Sequence, residues 1–178
     1  MPKLPVEQLT TQWIYNNYYQ YKDKPLSSSV INKYAKALLD VAGADGVLSE
    51  AERKWVIGFA AAHGLNQEEL DALKEYKLKA EDSTAVFSSE SKLKIGEHFQ
   101  AELIYNGLRA AAADGALKQR EIDGISAIAK KLGIPDDKFQ AILALHKEEE
   151  DERQKRIAFL FPKPYGETIE AIDHHYGR

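Results

Sequence analysis

Four carboxylates recur at one spacing. Asp45 and Glu52 lie seven residues apart in "ADGVLSEAE", and Asp114 and Glu121 repeat that spacing in "ADGALKQRE", 69 residues further on. Five of the nine positions are identical between the two stretches. Carboxylate oxygens are hard ligands, suited to calcium, magnesium or manganese. If the two turns meet in space, four carboxylates converge, and such a cluster demands a cation or raised pKa values. The expected metal ligands are therefore Asp45, Glu52, Asp114 and Glu121, and the expected cofactor is a divalent cation (Ca, Mg or Mn).

The pattern is not a complete EF-hand. With Gly46 at the sixth loop position, Asp45, Leu48 and Glu52 fall at the fifth, eighth and twelfth, as a calcium loop requires. The first and third positions then fall on Val41 and Gly43, and in the second copy on Ala110 and Ala112. None of these offers a side-chain oxygen. A structural reading competes with the metal. Ser49 is a natural N-cap and Glu52 completes its capping box. Gly46 suits a left-handed turn, and Asp45 an Asx turn. That explains the first copy better than the second, where Lys118 replaces the serine and its side chain cannot accept a hydrogen bond, while the aspartate and glutamate remain.

Other residues with chemical potential are fewer. "WIYNNYYQY", Trp13 to Tyr21, holds five aromatics in nine residues. It reads as a helix packing its rings on the body, or as a pocket or partner surface for a flat ligand. His98 and Glu102 stand one helical turn apart and would need a third ligand from elsewhere to hold a transition metal. There is no P-loop, dinucleotide fingerprint, nucleophile elbow or His-Glu-x-x-His motif. A non-enzymatic role is favoured over a metalloenzyme using the four carboxylates.

The elements that must position these groups read as helices throughout; no alternating strand pattern of useful length is present. One helix is expected from about Ser29 to Ala42, and a second from near Ser49 to just before Gly64. A third opens at Asn66 with a Glu69 capping box. Lys79–Ser91 reads as a connector, with Ser88 or Ser89 capping a fourth helix. A fifth runs from about Lys118 to Leu132 and stops at Gly133. A sixth begins with Pro135 in its first position and continues through "HKEEEDERQKR", where Glu149–Arg153, Asp151–Lys155 and Glu152–Arg156 are spaced as i,i+4 ion pairs. The pairs Leu65/Leu70 and Ile134/Phe139 both suit hydrophobic staples. The constant offset predicts an all-α fold of about seven helices, two pseudo-twofold-related repeats sharing one core. The expected organisation is an aromatic N-terminal segment (1–28) packing on the body, a duplicated domain (29–146), and a charged helix extension with a C-terminal tail (147–178).

Composition narrows the class. The chain has 178 residues, 44% of them hydrophobic, which is enough for a shared core. Net charge is −4 with dispersed lysines, so a nucleic-acid groove is not expected. There is no cysteine, hence no disulfide or thiolate metal site. No secretory signal is evident, and no apolar run approaches the roughly 18 residues of a membrane span. The expected location is cytoplasmic, with a protein partner or a second copy of the chain as companion.

"LLDVAGADGVLSEAERKWVIGFAAAHGLNQEELDAL" resembles the TerB-like domain of the tellurite-resistance proteins, and "GLRAAAADGALKQREIDGISAIAKKLGIPDDKFQAIL" is similar to that fold's second half. The likeness covers about Ser29 to Leu145. It implies an all-helical fold with internal pseudo-symmetry, an acidic metal-binding site at Asp45, Glu52, Asp114 and Glu121, and a link to tellurite or other chemical stress. The alternative from the residues themselves is a small-ligand or pigment-binding protein built on an aromatic pocket.

Overall fold

The repeated turns join helices whose ends are set by local chemistry. The computed structural model describes residues 5–79, 83–87, 96–161 and 163–176, and every regular element in them is helical. In chain order these are α1 (Val6–Tyr19), α2 (Ser28–Ala42), α3 (Glu50–Ala62), α4 (Gln67–Lys74), a 3-10 turn (Ser83–Phe87), α5 (Gly96–Ala111), a second 3-10 turn (Ala112–Asp114), α6 (Gln119–Lys131), α7 (Asp136–Leu160) and α8 (Tyr165–Tyr176). The all-α expectation holds. The expected caps at Ser88 or Ser89 and the side chain of His98 lie outside the described residues.

Ser49 and Asn66 cap α3 and α4, each in a reciprocal box with the glutamate three residues on. Both α3 and α6 end in a Schellman motif. Gly64 has φ +96° and Gly133 φ +85°, a conformation glycine adopts without penalty. The Leu65 amide donates to Ala60 O and the Ile134 amide to Ala129 O. Pro135 stands one residue earlier than expected: it is the N-cap of α7, with Asp136 the first helical residue, a shift within the ordinary uncertainty of helix ends.

The core centres on α2, an amphipathic helix with one wide apolar face. Ile31, Tyr34, Ala35, Leu38, Leu39 and Val41 are all buried, and α2 packs against α3, α5 and α6. Small residues bring the backbones close. A Cβ at Gly107 of α5 would stand 2.2 Å from Val41 Cγ1, so any side chain there would force α2 and α5 apart. A Cβ at Gly124 of α6 would stand 2.9 Å from the Ala44 carbonyl carbon. This second approach presses α6 onto the first acidic turn.

α1 lies against α3, with Thr11 and Tyr15 buried and Trp13 exposed. α7 buries Phe139, Ile142 and His146 in its first half and is largely exposed beyond. Its ion pairs form at i,i+3, Arg153 with Glu150 at 2.5 Å and Lys155 with Glu152 at 2.8 Å, rather than at the expected i,i+4 spacing. Tertiary structure contributes to the choice: Glu149 accepts a hydrogen bond from the Tyr105 hydroxyl of α5. No helix among the described residues is long and apolar enough to cross a membrane.

Candidate metal centre

The two acidic turns meet. Glu52 is the third residue of α3, with its carboxylate turned back towards the helix start. The Ser49 amide donates to Glu52 Oε2 at 2.5 Å, and the Glu52 amide donates to Ser49 Oγ at 3.2 Å. Glu121 occupies the same place in α6, accepting from the Lys118 amide at 2.8 Å. The reverse bond is missing there, because an ammonium has no acceptor. Asp114 ends the 3-10 turn before α6. One oxygen from each of Glu52, Asp114 and Glu121 lies within 4.8 Å of the other two. Glu52 and Glu121 are each only 3% exposed, while Asp114 is exposed.

Asp45 is not in this trio. Its Oδ1 accepts from the Val47 amide at 2.9 Å, as an Asx turn does, and its Oδ2 pairs with Arg120 Nε at 2.8 Å. Of the four carboxylates expected to act together, three converge and the fourth fastens one turn to the other. The basic groups were not singled out for this role from the sequence. Lys118 Nζ stands 3.0 Å from Glu121 Oε1 and 3.1 Å from Asp114 Oδ2. These two partners, Glu121 first, raise the Lys118 pKa. Burial pushes the Glu52 carboxyl above its usual range, the Ser49 bonds oppose this, and the charges of Asp114 and Glu121 add to the rise.

Oxygens bound to one ion can be at most two metal–oxygen distances apart, about 5 Å for calcium and about 4 Å for magnesium. The observed spread suits calcium as it stands and magnesium after contraction. Three ionised carboxylates and one ammonium leave two negative charges, which a divalent cation would neutralise. Such an ion would displace Lys118, whose side chain is 47% exposed and can swing into solvent. The donor set therefore fits a hard divalent cation, with water completing the coordination.

The family model of the tellurite resistance protein TerB matches residues 32–144, which hold both turns and all four carboxylates. This chain belongs to the TerB family. A solved structure of a tellurite resistance protein from Nostoc punctiforme is similar over 91% of this chain and 98% of that one, at 28% identity and a TM-score of 0.78. No curated protein matches the chain.

Two further features of this TerB chain lie outside the carboxylate cluster. Asp40, 4% exposed, is buried although it lies on the polar face of α2, one turn after Lys36 and two after Lys33. It accepts from the Tyr76 hydroxyl at 3.1 Å, the Lys79 amide at 2.8 Å and the Ser83 hydroxyl. It thereby ties the segment after α4 to the central helix; in the sequence it reads as one more solvent-facing charge beside Lys33 and Lys36. The aromatic segment before the TerB match contributes Tyr15, Tyr19 and Tyr21 to a cavity of about 360 Å³ between α1 and the body.

Proposed function

We propose that this TerB-family protein is a non-enzymatic module that binds a divalent cation, calcium before magnesium or manganese, through Glu52, Asp114 and Glu121. In this reading it acts in the cytoplasm, with a protein partner or a second copy, in the response to tellurite or other chemical stress. The observation that carries the metal is the convergence of three carboxylate oxygens within 4.8 Å, two of them on nearly buried residues. The link to tellurite rests on the family and on the name of the similar Nostoc punctiforme protein. The matching glutamate caps and glycine-terminated helices of α3 and α6 support a duplicated unit.

Lys118 favours a second reading, in which the cluster is a structural latch already neutralised by its own ammonium. Calorimetric titration of the chelator-treated full chain with calcium separates the two. The cation reading expects saturable binding, a higher melting temperature with calcium, and loss of both in Glu121→Gln. No heat and no thermal shift with calcium, magnesium or manganese would leave the latch.

A further inference from the structure

The cavity beneath α1 shares no lining residue with the carboxylate cluster. Its volume of about 360 Å³ falls within the range of small-molecule sites, roughly 300–1,000 Å³. Tyr15 and Tyr19 of α1, Tyr34 of α2, Phe59 of α3, Phe87 of the first 3-10 turn and Phe99 of α5 form its aromatic wall. The rings are already held in place by one another. Tyr34 stacks on Phe59 at 5.6 Å between centroids and meets Phe87 edge-on at 5.8 Å.

Tyr19, His63 and Glu102 form one connected polar cluster in the wall. His63 Nδ1 is 2.7 Å from Phe59 O, and a carbonyl can only accept, so this nitrogen carries a hydrogen. Burial lowers the His63 pKa, which favours the neutral ring and leaves Nε2 as an acceptor. That nitrogen faces the Tyr19 hydroxyl at 3.2 Å. The same hydroxyl lies 2.9 Å from Glu102 Oε1. Tyr19 has one proton and two acceptors competing for it. One turn further along α5, the buried Asn106 Oδ1 has no donor among the described residues. Glu102 has no ion-pair partner among the described residues; burial raises its pKa, and hydrogen bonds from Tyr19 and Asn106 oppose the rise. Lys24 also lines the cavity but is exposed.

An aromatic wall attracts cations through the ring faces. A carboxylate without an ion-pair partner, sharing the one Tyr19 proton with His63, suits a positively charged N–H donor. We infer that this cavity binds a small organic ammonium, an apolar or aromatic body carrying one protonated amine, with the amine at Glu102 and Tyr19 and the body against Tyr34 and Phe59. The fold contains a precedent for the chemistry. The Arg109 guanidinium lies 5.3–5.6 Å from the ring centroids of Trp55, Tyr18 and Tyr105.

The test titrates the full chain with phenethylamine, phenethyl alcohol and phenylacetate, which share a ring and differ in charge. Phenethylamine binds at least about tenfold more tightly than phenylacetate, a difference of about 1.4 kcal/mol. Glu102→Gln weakens the amine by about tenfold and leaves the alcohol unchanged. Val30→Trp fills the cavity from its edge and abolishes binding of both, with folding checked by circular dichroism. Equal or tighter binding of phenylacetate, no binding of the amine, or unchanged amine affinity in a folded Glu102→Gln protein would overturn the assignment. Calcium titration of the same variants is unaffected, so failure here is distinct from failure of the metal reading.

Discussion

Arg120 reaches from the second acidic turn to the first, with its Nε 2.8 Å from Asp45 Oδ2. The Asp45 side chain is 5% exposed, whereas that of Arg120 is 62% exposed. The pair is half in water, so screening keeps its worth well below that of a buried ion pair. A double-mutant cycle with Asp45→Asn and Arg120→Ala, read by urea unfolding, is expected to give a coupling of about 0.5–1 kcal/mol. Simple additivity would show that the contact does not fasten the turns.

Lys118 is the built-in competitor for any ion at the cluster. Lys118→Ser removes the ammonium and restores the capping residue found at Ser49. Calcium affinity is expected to rise by about tenfold in this variant, because one repelling charge leaves the immediate surroundings of the ion. The calcium-induced rise in melting temperature grows with it. An affinity equal to that of the parent, measured by calorimetry, would remove Lys118 from the binding equilibrium.

Glu52 gives the protein a signed response to pH. Its folded pKa is raised above the ordinary carboxyl value, first by burial. Between the unfolded and folded values the native state holds more protons than the unfolded chain, so stability falls as pH rises through that window. The penalty is absent below the unfolded pKa and complete above the folded one. Metal-free Glu52→Gln therefore gains stability relative to the parent as pH rises from about 4 to about 7, measured by urea unfolding at each pH. Calcium affinity of the parent moves the other way and strengthens with pH, because the ligand must be deprotonated. A stability difference that stays flat with pH would mean Glu52 titrates as an ordinary carboxyl.

The helices were legible because what starts and stops them is local. Ser49 with Glu52, Asn66 with Glu69, and the glycines at 64 and 133 act within one or two turns, so their bonds are encoded by neighbours in the chain. The apolar period of α2 likewise marked Ile31, Tyr34 and Leu38 as buried. The aromatic richness of residues 13–21 allowed a pocket as one reading, but which residues close it was not legible, since its far wall comes from α2, α3, α5 and the 3-10 turn at Phe87.

Sequence alone determined the all-helical class, the TerB likeness and the existence of two acidic turns. Tertiary structure decided how their charges are shared: Glu52 with Asp114 and Glu121, Lys118 among them, and Asp45 with Arg120. The reason is steric as much as electrostatic. Close approach at Gly107–Val41 and Gly124–Ala44 sets where α5 and α6 lie against α2 and the first turn. Those distances fix which oxygens come within reach of one another, and no spacing along the chain contains them.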